Sequence, residues 1–177
     1  MNWHLIPYVQ VNGAWSLADE QMLMIYEEAQ KAELIDKVFF AGEVRTPDDW
    51  LALMKRSTNV VHTIWGDDEQ PYLIAWLNDW GRYHAFAHFI TFPRAWGSHT
   101  VGLLKKCFKY WFDFKNDTGG YVLDTIVGRT PSHRREVTRF LFKVGAHVLG
   151  EIPSMAYDMY QNKRIGLVIS YITREDL

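Results

Sequence analysis

The sequence predicts an α/β (α+β) domain with a mixed, mainly antiparallel central sheet and helices on both faces. Three observations predict it. The middle of the chain carries three strand-like runs divided by short turn segments, as in an antiparallel meander. The second half alternates strand, helix, strand and helix. Two capped helical patterns precede both. A length of 177 residues suits one domain spanning residues 1–177.

The elements follow in order. Residues 4–11 form a short strand. Ser16 with Asp19 is a helix start, and an apolar helical pattern continues through Met22, Ile25, Ala29 and Ala32. Thr46-Pro47-Asp48-Asp49 opens a second helix, to about Ser57: Thr46 caps, Pro47 suits the first turn, and the acids suit the helix dipole. Val60–Trp65, Tyr72–Trp80 and Tyr83–Phe92 are the meander, with Gly66-Asp67-Asp68 and Gly81-Arg82 between them. A helix covers about Thr100–Phe114, and Gly119-Gly120 breaks the chain. Val122–Val127 is a strand. Thr130-Pro131 opens a helix that Gly145 stops. Residues 147–152 and 165–172 are strands, joined by a loop or an irregular strand. A strand–helix–strand connection is right-handed, so Tyr83–Phe92 and Val122–Val127 are expected side by side and parallel, with the sheet splaying between them.

Composition narrows the function. Hydrophobic residues make up 48% of the chain, enough for a real core, and the 15% aromatic content with eight Trp falls mostly in the strands and helices. The formal net charge of -2 gives no global case for binding nucleic acid. Cys107 is the sole cysteine, so no intramolecular disulfide forms. Its place on an apolar helical stripe reads as a buried structural thiol. The start, MNWHLIPYVQV, lacks the basic and continuously apolar character of a signal peptide, and no segment approaches the roughly 18 apolar residues of a membrane span. A cytoplasmic protein is expected, with no membrane or nucleic-acid partner; whether it forms a homodimer stays open.

The chemistry centres on residues 90–101, ITFPRAWGSHTV. An apolar strand ends at Pro93, a short turn follows, and a helix begins. The first amides of a helix lack intrahelical acceptors, and the dipole puts partial positive charge there. A glycine in such a turn lets a phosphate approach them. Gly97, Ser98, His99, Thr100 and Val101 are placed to offer N–H groups, with Arg94 adding charge. The plainer alternative is a turn that only caps the helix. His84 and His88 share a strand face but lie roughly 13 Å apart at ~3.3 Å per residue, too far to bridge one metal, so no metal site is expected.

The element order and the run Arg94-Ala95-Trp96-Gly97-Ser98-His99 resemble the GNAT superfamily of N-acetyltransferases, whose signature is Arg/Gln-x-x-Gly-x-Gly/Ala at a strand-to-helix turn. Arg139-Phe140-Leu141-Phe142-Lys143-Val144-Gly145-Ala146 is similar to that family's helix ending in Leu-Gly-Phe. The resemblance implies an acyl-CoA-dependent N-acetyltransferase with acetyl-CoA as co-substrate and an amine as acceptor. It places the pyrophosphate at Arg94 and Gly97 to Val101. It also implies that Arg129, with His133, Arg134, Arg135 and Arg139, sits beside the pantetheine and 3′-phosphate; a solvated helix face is the alternative. His84 falls near the family's base position, where a histidine's ordinary pKa of about 6.5 suits neutral pH. Three positions depart from the pattern: His99 replaces a small residue, Leu141 stands where the family has a tyrosine acid, and Arg134 stands for an asparagine. Tyr157 and Tyr160 are the late-loop phenols that could replace the acid. His99 either points away from the cradle or fills it. These departures leave a second class open, a catalytically degenerate GNAT-like binding or structural protein. Val127-Gly128-Arg129-Thr130, Ser132-His133 and Phe140-Leu141 resemble small phage-encoded GNAT-like proteins, some of them virion components.

Overall fold

A computed structural model describes residues 2–177, with the side chain of Ser98 outside the described set. Among these residues seven strands form one sheet. The first strand, β1 (Trp3–Tyr8), leads into a small hairpin of β2 (Gln10–Val11) and β3 (Ala14–Trp15). The meander is β4 (Val60–Gly66), β5 (Pro71–Asn78) and β6 (His84–Thr91). The late strands are β7 (Thr125–Pro131), β8 (His147–Asp158) and β9 (Lys163–Thr173). The sheet order is β1-β4-β5-β6-β7-β9-β8, and every pairing is antiparallel except β6 with β7. The mixed, mainly antiparallel sheet is thus as the sequence predicts.

Helices cover both faces. One face carries α1 (Asp19–Lys31), the single turn α2 (Ile35–Val38) and α3 (Pro47–Met54). Their apolar sides bury Met22, Ile25 and Trp50 against Ile74, Trp76 and Ile90. The other face carries α4 (Ser98–Phe112) and α5 (Arg135–Val144), packing Leu103, Leu104 and Trp111 on Leu73, Ala75 and Ile126. β5 is buried along nearly its whole length because it is covered on both sides. Four tryptophans at the core illustrate where the aromatic load goes: Trp50, Trp76 and Trp111 are fully buried, and Trp65 nearly so. The Trp111 indole N–H donates to His62 Nδ1 at 2.9 Å, so this buried ring keeps its other nitrogen protonated and stays neutral.

Several local expectations are corrected. The Ser16 hydroxyl does not open α1. It donates to the Pro7 carbonyl at 2.5 Å and accepts from the Val9 amide, closing the β2–β3 hairpin, and Gln21 instead caps the Ala18 amide. The second start signal behaves as read: Thr46 and Asp49 bond reciprocally at 3.1 and 3.0 Å. Val122 and Leu123 precede β7 rather than forming it, and Leu123 meets its apolar requirement by full burial in a turn. The strand runs instead through Gly128, Arg129 and Thr130 to Pro131, whose partner is Leu167 on β9. Pro131 therefore ends a strand, and the helix begins four residues later. The late hairpin is longer than expected, with register breaks at Leu149 and over 153–155, where Ser154 takes φ 54°.

Cys107 is fully buried on the inner side of α4, and burial pushes its thiol up to about 12 against a small opposing effect of Lys106. Labelling by a thiol reagent under native conditions should therefore be slow and should track unfolding; rapid stoichiometric reaction of the folded protein would contradict this packing.

Candidate functional site

The parallel pairing of β6 and β7 lasts for three residue pairs, His84↔Thr125, Ala85↔Ile126 and Phe86↔Val127. Beyond Phe86 the strands part. Side-to-side alternation then decides which backbone groups face the gap. The Tyr83 carbonyl accepts from Asp124 and Thr125, toward β7, whereas the Phe92 amide donates to Tyr72, toward β5. By that parity the Ala87 amide still reaches the Val127 carbonyl in the last parallel pair, whereas the Ala87 carbonyl and the amide and carbonyl of Phe89 face the open side beyond it. A cavity of about 1020 Å³ occupies the opening and reaches both faces of the sheet.

At one mouth of the cavity stands the start of α4. A 3₁₀ turn, Pro93–Ala95, leads into Gly97, which has φ 100° and ψ -136°. An L side chain rarely adopts this conformation, and a β-carbon here would meet nothing within 4 Å. Thr100 is buried and its hydroxyl donates to the Ala95 carbonyl at 2.5 Å, locking the helix start to the turn. Gly97, Thr100 and Val101 line the cavity. The first-turn amides of α4 thus open beside clear space.

The flanking residues resolve the two readings of His99. Its ring packs edge-on against Trp3 at 5.3 Å, on β1, so it points away from the cavity. Ser98 contributes its backbone to the helix start; its side chain lies outside the described residues. Arg94 is turned elsewhere. Its guanidinium pairs with Glu28 at 2.8 Å and bonds Gln70 Oε1 at 2.7 Å, tying the turn to α1 and the β4–β5 connection, and it does not line the cavity.

The two histidines of β6 are placed differently. His84 is exposed at the start of β6, near Phe86, and does not line the cavity. His88, one strand-turn further along the same face, does. Its ring stacks on Trp76 at 5.1 Å, and its Nε2 lies 3.0 Å from Asn78 Oδ1. That contact assigns the proton to Nε2 and leaves Nδ1 as an acceptor. Burial, reinforced by the Arg129 charge and opposed by Asp79, pushes His88 down to about 4. Sequence reasoning passed over His88 because spacing alone does not tell which of two same-face histidines reaches the gap.

Arg129 lines the cavity, and its guanidinium is engaged. It pairs with Asp79 at 2.8 Å and lies 4.1 Å over the Phe86 ring, on the α1–α3 side of the fork. Arg134 also lines the cavity, and its Nε is buried without a partner. Leu141 brings no hydroxyl. Tyr157 bonds Asn162 and Tyr160 lies against Asp36; neither reaches the cavity, whose one tyrosine among the described residues is Tyr171.

His62 is likewise pushed down to about 4 by burial. Both histidines have folded values below the ordinary 6.5. The unfolded chain therefore takes up protons that the folded chain does not as pH falls from 6.5 towards 4, and stability is lost on that descent. Melting temperature should be flat above that window with respect to these groups and fall within it. His88→Gln should remove about half of the decline, and an unchanged slope would contradict the burial of His88.

No family model matches the sequence, and no curated protein matches it significantly. Solved structures do match in shape. A chimeric form of the Vibrio cholerae spermidine N-acetyltransferase superposes with a TM-score of 0.73 at 10% identity, covering 98% of this chain and 96% of that one. The spermidine N-acetyltransferase from Vibrio cholerae in complex with CoA and spermine superposes with a TM-score of 0.71 at 12% identity, covering 97% and 96%. At these identities the likeness is one of fold: the chain has the fold of the GNAT N-acetyltransferases over nearly its full length.

Proposed function

We propose that the protein is an acyl-CoA-dependent N-acetyltransferase that transfers the acetyl group of acetyl-CoA to an amine. The observation that carries this reading is the fork between β6 and β7, with the glycine-capped start of α4 at its mouth. The first-turn amides of α4 and its dipole suit a pyrophosphate, and the unobstructed side of Gly97 leaves room for one. The Ala87 carbonyl and the amide and carbonyl of Phe89, on the open side of β6, suit the two amides of a pantetheine arm, which would pair with β6 as an added strand does. Arg134, with its unpartnered Nε, supplies charge along the cavity wall.

In the reaction the amine nitrogen bonds to the acyl carbon, the carbon–sulfur bond breaks, and one N–H proton ends on sulfur as the CoA thiol. His88 lies where the amine arrives. Its low basicity makes it a hydrogen-bond acceptor that orients a neutral amine or a water, rather than a group that stores a proton at neutral pH. Tyr171 is the phenol within the cavity that suits protonation of the leaving sulfur.

Calorimetric titration with CoA tests the cradle. Gly97→Val should abolish binding: its β-carbon would project into the space left for the ligand, and the left-handed φ adds a strain of about 1–3 kcal/mol. Arg94→Ala should instead lower stability by about 1 kcal/mol through loss of the Glu28 pair, with CoA affinity nearly unchanged. Full CoA binding by Gly97→Val, or none by the wild type, would remove the cradle reading.

Thiol release from acetyl-CoA tests the base. The pH profile of kcat/KM should rise with deprotonation of the amine and show no inflection near 6.5, the ordinary histidine value. An inflection there that His84→Gln removes would return His84 to the mechanism.

A further inference from the structure

Among the described residues, Trp96 and Met155 are the exposed large apolar side chains that line the cavity, and Trp96, at 54%, is the larger. It directly precedes Gly97, so it stands at the mouth, between the end of β6 and the start of α4. Its indole N–H donates to the Thr91 carbonyl at 3.0 Å, which folds the side chain back along β6. The direction of that carbonyl gives the indole its place. The Phe92 amide faces β5, so the carbonyl of Thr91, one residue earlier, faces the open side, in line with those of Ala87 and Phe89. The indole thus caps the last open carbonyl of β6 and closes the row of groups that an added strand can use.

The groups beside the indole are polar. The first-turn amides of α4 follow it on the β6 side of the mouth. On the β7 side Arg134 lines the cavity, with its Nε enclosed and without a partner. An apolar face held between a strand edge and an anion cradle fits a ligand whose own apolar segment lies between its amides and its phosphates. The pantetheine arm of CoA has that order: two amides, then a quaternary carbon bearing two methyl groups, then the pyrophosphate. The bond to Thr91 uses the edge of the indole, and more than half of the side chain stays exposed. Covering it with those methyl groups removes apolar surface from water that the free protein leaves wet.

We infer that Trp96 positions the acyl donor: its indole packs on the dimethyl segment of the pantetheine arm and fixes the point at which the arm leaves the β6 edge and turns into the α4 cradle. This rests on the transferase reading above. The contact sets how far the arm reaches into the fork, and so where the thioester carbon stops relative to His88.

The test runs in two stages. CoA titration of the wild type comes first: absence of binding overturns the transferase reading and this inference with it. With CoA binding established, the two halves of CoA, 4′-phosphopantetheine and adenosine 3′,5′-bisphosphate, are measured as competitors. Each carries a phosphate for the α4 amides, and only the first carries the arm. Trp96→Ala should weaken CoA and 4′-phosphopantetheine by about tenfold or more and leave the bisphosphate unchanged. Trp96→Phe, which keeps an apolar ring and loses the N–H, should weaken the same two ligands by a smaller factor. Thermal melts verify that the variants are folded, and Trp96→Phe carries the comparison if Trp96→Ala is not. Equal weakening of both halves assigns Trp96 to the shape of the turn alone and overturns the inference while leaving the transferase reading intact. So does a loss confined to the bisphosphate, an unchanged CoA affinity, or a wild type with which 4′-phosphopantetheine does not compete.

Discussion

Three consecutive parallel residue pairs between β6 and β7 are the constraint on which the rest of the site depends. They join the meander to the late hairpin, so the sheet is continuous, and they stop at Phe86↔Val127. A longer pairing would fill the gap with strand hydrogen bonds and leave no cavity. A shorter one would leave β7 and β9 without a firm link to the meander. The Arg129 guanidinium over Phe86, paired with Asp79 at the end of β5, sits at this point of divergence and occupies the crotch of the fork. Everything placed around the opening, including the α4 start and the stack of rings, takes its position from where the strands separate.

Burial then sets the protonation of the groups that face the opening. His88 has a ring packed flat on Trp76 and an Asn78 acceptor for its one proton, and burial with the nearby Arg129 charge disfavours its charged form. A second neutral ring, His62, accepts from Trp111 on the opposite side of the sheet. The molecule thus fixes two tautomers by single hydrogen bonds to neutral partners. Around the fork, strand backbone groups and a helix terminus supply oriented dipoles beside the charges of Arg129 and Arg134. Such dipoles need no reorganisation when a ligand arrives.

Much of this was legible in the sequence where the signal is local. The Thr46–Asp49 capping box, the glycine stop at Gly145 and the strand-to-helix turn at Gly97 all depend on backbone chemistry within a few residues. The element order sufficed for the parallel neighbours and for the GNAT-like sheet. What escaped was non-local. The β7 boundaries were misread because Val122 and Leu123 look like strand, yet burial satisfies them without a ladder, whereas Gly128 to Pro131 look like turn material until β9 pairs with them. Arg94 belongs to a motif by spacing, but its side chain is claimed by Glu28, 66 residues away. His84 and His88 share one strand face, and only the position of the fork separates them. His99 was readable in two ways, and the Trp3 contact from the chain's other end decides between them.

The edge strand β8 has a consequence for behaviour in concentrated solution. A twelve-residue edge with exposed Leu149, Ile152, Met155 and Tyr157 would ordinarily template the addition of foreign strands. Its outline interrupts that. Leu149 bulges out of register, Gly150 takes φ 148°, and Pro153 with left-handed Ser154 breaks the line again before Ala156 rejoins β9. No stretch of this border presents a long, flat row of amides and carbonyls at regular spacing. The irregular outline therefore guards the chain against fibrillar self-association at the one margin of its sheet where apolar side chains are most exposed.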